Sequence, residues 1–159
     1  MQKRNPVGIE FRSICAWDRE TYGTWAWFLS EFSWGWRYPL PPITEIHKAF
    51  YAIGAFALNG EKFVGAASLN LHASPDEQNN GEPWFAGLVV HPDYWFRGIA
   101  HELHEWCRER AYIEGFPRLL ASTEKPYMHG ILRNRGWVML RNNTLNEGGE
   151  PTTVYELVL

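Results

Sequence analysis

The sequence predicts an α/β protein in which a mixed central sheet carries helices between only some of its strands. Apolar residues recur at three- and four-residue steps in some segments and alternate or run continuously in others. Two of the strand-like segments are joined by Asn59-Gly60, a strong hairpin signal. The length of 159 residues is that of one domain, which we expect to span residues 1–159.

The first half of the chain is predicted to hold two helices and three strands. Asp18 is a suitable N-cap for a helix that places Tyr22, Trp25, Phe28, Leu29 and Phe32 at helical spacing. Thr44 is a second N-cap, predicting a short helix to about Phe50. The predicted strands are residues 8–14, 53–58 and 62–71.

The second half is predicted to alternate strands with helices and to end on two strands. Residues 98–114 form the clearest helix, and Gly115 follows where a C-cap glycine belongs. Residues 126–135 form another, with Pro126 in the tolerated first turn. The strands are residues 84–90, 119–122, 137–141 and 153–159. The predicted order is therefore β-α-α-β-β-β-α-β-α-β-β, with about seven strands.

Composition excludes several classes of protein. Hydrophobic residues make up 45% and charged residues 21%, which is a globular balance. The net charge of −3 offers no basic excess for nucleic acid. The longest apolar run, residues 49–58, is about half a membrane span. No apolar segment of a signal peptide follows Lys3 and Arg4, and two cysteines fit a reduced pair, so we expect a cytoplasmic protein with no membrane partner.

Residues 88–100 carry the clearest chemistry. They form a buried strand, a short turn and a glycine at the start of an amphipathic helix. Unpaired N–H groups and the helix dipole attract anions there, Gly98 permits close approach, and Arg97 adds a charge. The segment predicts a pyrophosphate site. The alternative is an ordinary turn whose glycine only relieves crowding.

The element order, the sequence L-V-V-H-P before R-G-I-A, and R-G-W before a later strand resemble the GNAT acetyltransferase superfamily. The resemblance implies acetyl-CoA as co-substrate, with no metal. It implies that the pantetheine arm lies along the strand ending at Val90 and that backbone N–H groups hold the pyrophosphate. The implied cofactor-binding residues are Leu88, Val89, Val90, Arg97, Gly98, Ile99, Ala100 and His101.

The chain departs from the family pattern at three positions. Trp95 stands where the family has Gln or Arg at the start of its Q/R-x-x-G-x-G/A motif. Leu132 stands where a tyrosine commonly serves as general acid, and Lys125 where an asparagine is common. The usual acid is therefore absent from its usual place.

Transfer to an amine requires a proton acceptor, because an alkyl ammonium has a pKa near 10.4. Glu82, before the strand at 84–90, is the first candidate base, and Glu124 is the second. Tyr127 is the phenol nearest to the missing acid, and His129 and His91 are further proton-exchange candidates. Each residue has a structural alternative, as a turn, packing or surface residue.

The aromatic loop between the first two helices is the candidate acceptor wall. Trp34, Trp36 and Tyr38 could bind a cation or an apolar side chain, or could pack over the sheet as a lid. The pattern His101-Glu102-x-His104 resembles the zinc motif H-E-x-x-H, but its histidines are three apart, which favours a polar helix face.

Together these features predict an N-acetyltransferase. A primary amine, on a small molecule or a protein, would attack acetyl-CoA directly in a ternary complex, with the oxyanion held by an amide near Leu88 or Val89. A homodimer is compatible with this layout. The alternative is a GNAT-fold module that binds CoA or a protein partner and has lost turnover.

Overall fold

The computed structural model describes residues 6–15, 18–32, 46–146 and 149–159. These residues form seven strands and three α-helices. Their bounds are β1 Glu10–Ser13, α1 Arg19–Phe32, β2 Ala49–Ala57, β3 Lys62–Asn70, β4 Trp84–Val90, α2 Ile99–Ile113, β5 Arg118–Thr123, α3 Pro126–Asn134, β6 Val138–Leu145 and β7 Pro151–Val158. None of the three described helices has the length and hydrophobicity needed to cross a membrane.

The strands lie in one mixed sheet of order β1-β2-β3-β4-β5-β7-β6. Neighbours pair antiparallel except β4 and β5, which are parallel. The predicted α/β class and seven-stranded mixed sheet are confirmed. The observed β4 has the predicted bounds, and α2 differs from its prediction by one residue at each end.

The predicted helix from Thr44 to about Phe50 is too long at its C-terminal end, since Ile46 is helical but the chain becomes a strand at Ala49. Thr44 lies outside the described residues, whereas Phe50 belongs to β2. Pairing with β3 explains the difference, since Ala49 lies opposite Asn70 and Tyr51 opposite Leu69. Backbone pairing along a nine-residue strand therefore replaces the predicted end of the helix.

Helices cover both faces of the sheet. On one face Trp25 and Leu29 of α1 pack on Ala52 and Ala66. On the other face a larger cluster joins α2 and α3 to the sheet, including Ile53. Adjacent strand residues point to opposite faces, which is why Ala52 and Ile53 belong to different clusters. The sheet is thus fixed from both sides around β4.

Candidate active site

The candidate site lies where β4 and β5 separate. They pair at one position, Trp84 with Leu120, although β4 continues to Val90. Beyond that pair a cavity of about 840 Å³ opens, with residues 84–90 of β4 on one side and residues 121–125 on the other. Separated strands leave backbone N–H and C=O groups available to an extended ligand. We call the residues lining this space the cavity wall.

A bulge in β4 shapes the cavity wall. Ser68 pairs with Ala86 and Ala66 with Val89, so Gly87 and Leu88 together face one residue of β3. Gly87 has φ +63°, and a Cβ on it would lie 2.9 Å from Cζ2 of Trp25. The indole Nε1 of Trp25 donates a 3.0 Å hydrogen bond to the Gly87 carbonyl. The bulge therefore requires glycine and is fixed by α1.

The first turn of α2 provides the predicted anion site. Gly98 is the N-cap residue with φ 83°, and its carbonyl accepts the helix bond from the Glu102 N–H. The N–H groups of the three residues between have no acceptor within the helix. A Cβ at Gly98 would meet only Pro6 Cγ, at 4.0 Å, so the approach is open. This geometry fits a bound pyrophosphate.

Seven of the eight predicted cofactor-binding residues lie in the cavity wall. The exception is Arg97, which is exposed and whose guanidinium carbon lies 4.9 Å from the ring centroid of Tyr94. Trp95 does line the cavity. Its Nε1 donates a 2.7 Å hydrogen bond to the Val90 carbonyl. The side chains flanking the cradle therefore contribute an aromatic wall, and Arg97 contributes its charge to the surface outside.

Glu82, the first candidate base, lies in an ion-pair network outside the cavity wall. Its Oε1 and Oε2 accept from Arg118 at 2.8 and 3.0 Å, and Oε2 also accepts from Asn79 at 2.7 Å. Arg118 also donates to Glu156 at 2.7 Å. The hydrogen bond from Arg118 is the main cause that lowers the pKa of Glu82. A paired carboxylate of lowered pKa is a weaker proton acceptor.

The structure brings Glu124 and Tyr127 together at the cavity wall. Glu124 follows the last residue of β5 and is half-buried, and Tyr127 is the second residue of α3 and 63% exposed. The Nζ atom of Lys125, also in the wall, lies 6.0 Å from the Tyr127 ring centroid. Leu132 is buried and lines the cavity at the position of the family's tyrosine. A carboxylate and a phenol thus flank the cavity at its β5 side.

The two other proton-exchange candidates have partners of their own. Nδ1 of His91 accepts a 3.1 Å hydrogen bond from the Asp93 N–H, and its ring packs 5.6 Å from that of Phe28. Nδ1 of His129 is hydrogen-bonded to the Tyr155 hydroxyl. Neither histidine lies in the described cavity wall.

On its α1 side the described cavity wall is aromatic and aliphatic. Trp25, Leu29, Phe32 and Ile46 line it there. The predicted acceptor-wall residues Trp34, Trp36 and Tyr38 lie outside the described residues. They belong to the segment that joins α1 to residue 46 in the chain.

The zinc-like pattern forms no metal site in the described part of the chain, where no group of three or more His, Cys, Asp or Glu residues could hold a metal ion. His104 is buried, and its Nε2 accepts a 3.0 Å hydrogen bond from Trp137 Nε1. Burial lowers the pKa of His104 to about 4. The ring is therefore a neutral core group.

Sequence reasoning missed two residues of the site. Gly87, within an apolar strand pattern, is a recognised bulge signal and could have been found. Arg135, at the end of α3, also lines the cavity. A basic residue in the last turn of a helix has a common electrostatic explanation, so the sequence did not set Arg135 apart.

Comparison with known proteins identifies the architecture. The model of the acetyltransferase (GNAT) family matches residues 13–131. Among solved structures, the ribosomal-protein-alanine N-acetyltransferase of Brucella melitensis has a TM-score of 0.70 at 15% identity, covering 94% of this chain and 99% of that chain. No curated protein matches the sequence.

Two further structures share the fold. The NatC complex bound to Gag peptide and CoA has a TM-score of 0.73 at 13% identity, covering 95% of this chain and 98% of that chain. The phosphinothricin acetyltransferase of Sinorhizobium meliloti in complex with AcCoA has a TM-score of 0.71 at 14% identity, covering 96% and 89%. At these identities the likeness concerns the fold.

Proposed function

Since the chain belongs to the acetyltransferase (GNAT) family, we propose that it transfers an acetyl group from acetyl-CoA to a primary amine. The observation that carries the proposal is the opening between β4 and β5 beside the first turn of α2. An extended ligand can lie along β4 while its pyrophosphate reaches the N–H groups after Gly98. Both substrates would be bound together.

The chain's own groups supply the proton transfers. The amine nitrogen bonds to the thioester carbonyl carbon, and the carbon–sulfur bond breaks. Glu124 takes the proton that the amine loses, and the Tyr127 hydroxyl gives a proton to the departing thiolate. We assign the Leu88 N–H, in the bulge, as the donor that stabilises the developing oxyanion. The products are an N-acetyl amine and CoA thiol.

The acceptor is a primary amine on a small molecule or a protein. The apolar wall formed by Trp25, Leu29, Phe32 and Ile46 suits an amine whose neighbouring atoms are apolar. The indole N–H of Trp25 is already bonded to the Gly87 carbonyl, so that side chain offers the acceptor only apolar ring surface.

A second candidate function is supported by Leu132. An aliphatic side chain at the position of the family's acid suits a module that binds acetyl-CoA without turnover. The two functions differ in whether the Tyr127 hydroxyl acts as the acid. In a module without turnover, the amine would not be consumed even where acetyl-CoA binds.

Calorimetric titration with acetyl-CoA tests the proposal. We expect micromolar binding by the wild type and a loss of more than about 100-fold in Gly98→Glu, because a carboxylate would repel the pyrophosphate. Gly115→Glu is the matched control, since Gly115 also has a positive φ (+85°) with nothing within 4 Å of a Cβ, but lies at the far end of α2. Well-folded wild type without binding would overturn the proposal.

Thiol release with a panel of primary amines then tests turnover. Apolar monoamines and peptides with a free amino terminus are the first members of the panel. Release of CoA together with mass-spectrometric detection of the N-acetyl amine supports the transferase. Binding of acetyl-CoA with no amine consumed across the panel supports the module without turnover.

A further inference from the structure

Arg135 is a half-buried cation facing the cavity. It follows the last residue of α3 and lines the cavity wall together with His101 of the first turn of α2. Among the described residues its guanidinium has no hydrogen bond or salt bridge, and desolvation lowers its pKa. Placing a cation partly out of water without a partner is unfavourable, so a ligand that neutralises it would be stabilising.

The acidic residue Glu105 is already bonded to other residues. Glu105 acts electrostatically on Arg135. Its Oε1 lies 3.2 Å from Nδ1 of His104, and its Oε2 accepts from Arg108 Nε at 3.1 Å. Glu105 therefore leaves the guanidinium of Arg135 without a close counter-ion in the described part of the chain.

Arg135 and the start of α2 border the same cavity. Arg135 acts electrostatically on His104 of α2, and it lines the same cavity as His101 of the first turn of that helix. At the turn before α2, Trp95 stands where the family has Gln or Arg, and Arg97 does not line the cavity. Arg135 thus adds positive charge to the cavity from a different element.

We infer that Arg135 binds phosphate oxygens of the nucleotide half of acetyl-CoA. The guanidinium offers forked donors that match phosphate oxygens, beside the N–H groups of α2. This inference rests on the proposed function, because acetyl-CoA is the ligand. Its phosphates are the pyrophosphate and the 3′-phosphate of the ribose, and the experiment separates them.

Calorimetry of Arg135→Ala with acetyl-CoA is the test, and Arg133→Ala is the matched control. Both substitutions remove one charge from the end of α3, but Arg133 is exposed and outside the cavity wall. A charge-assisted hydrogen bond predicts about tenfold or greater weakening for Arg135→Ala. We expect Arg133→Ala to stay within about twofold and Arg135→Lys to keep part of the affinity.

Titration with 3′-dephospho-CoA identifies the phosphate. Equal weakening of both ligands by Arg135→Ala supports contact with the pyrophosphate, and weakening confined to acetyl-CoA supports contact with the 3′-phosphate. The inference is wrong if Arg135→Ala binds as tightly as the wild type, or if Arg133→Ala is weakened equally. Absence of binding by the wild type would overturn the proposed function instead. Circular dichroism verifies folding, and Arg135→Lys serves as the test if Arg135→Ala does not fold.

Discussion

The indole Nε1 of Trp95 donates a 2.7 Å hydrogen bond to the carbonyl oxygen of Val90. Val90 is the last residue of β4, and Trp95 lies in the turn before Gly98. The bond therefore joins the strand that borders the cavity to the loop that leads into the anion site. A side chain that departs from the family pattern thus gains a structural role in this chain.

We predict that Trp95→Phe weakens acetyl-CoA binding about fivefold, because it removes a bond worth about 1 kcal/mol and loosens the turn. Trp27→Phe is the control, since Trp27 has a similar exposed fraction (52% against 51%) and lies outside the cavity wall. Titration calorimetry measures both. Equal affinity of the two variants would contradict a role for the Trp95 bond.

Glu124 and Glu82 are predicted to differ in what their substitution changes. Glu124→Gln should lower kcat about 100-fold while leaving acetyl-CoA affinity unchanged, since it removes the proton acceptor beside the cavity. Glu82→Gln should keep kcat within about twofold and lower the free energy of unfolding by about 1 kcal/mol, through the weakened pairing with Arg118.

Steady-state kinetics of these two variants measures kcat, and urea unfolding measures their free energy of unfolding. The opposite pattern, with kcat reduced by Glu82→Gln and untouched by Glu124→Gln, would assign the base to Glu82. A pH profile of kcat/KM provides an independent readout. When the true base is replaced, its ionisation no longer appears in the profile.

Tyr127→Phe is predicted to lower kcat at least tenfold with little change in acetyl-CoA affinity. The substitution keeps the ring and removes the hydroxyl that would protonate the thiolate. Tyr112→Phe is the control, because Tyr112 is similarly exposed on α2 but outside the cavity wall. Unchanged kcat in Tyr127→Phe would require another acid.

His104 is predicted to make stability depend on pH. Trp137 Nε1 is a donor only, so His104 Nε2 must accept, and burial lowers the pKa of the ring from 6.5 to about 4. Between these two values the unfolded chain binds the proton and the folded chain does not. Stability is therefore intact above the unfolded value and falls as the pH drops from 6.5 toward 4.

The expected loss is about 2 kcal/mol between pH 7 and pH 5. His104→Gln keeps an oxygen acceptor for Trp137 and removes the titration, so its unfolding free energy should be flatter over this interval. Asp18, Asp76 and Glu82, whose pKa values are lowered, contribute mainly below about pH 5. Urea unfolding at several pH values measures the difference, and parallel curves for wild type and variant would contradict it.

Local signals in the sequence were enough to predict the strands and helices around the site. The apolar run at 84–90 has the bounds of β4, because a buried strand must be continuously apolar. Asp18 caps α1 as predicted, with its Oδ1 accepting from the Thr21 N–H at 3.1 Å. These features depend on neighbours in the chain, so a single sequence carries them.

Where the bounds of an element were predicted incorrectly, they depend on pairing between strands. The final strands illustrate this, since β6 was expected at 137–141 and extends over Val138–Leu145. Pairing with β7 continues through irregularities in register that the alternation of residues does not reveal. The presence of β2 at Ala49 and Phe50, where the end of a helix was predicted, has the same cause.

The sequence by itself determined the mixed α/β class, the strand, turn and helix at 84–113, and the glycine at its centre. Only the tertiary structure decided which charges meet the cavity. Arg97 stacks on Tyr94 and does not itself line the cavity, whereas Arg135, distant in sequence, lines it. The physical reason is that local patterns fix backbone conformation, but a side chain's surroundings depend on which strands separate and which helices pack beside them.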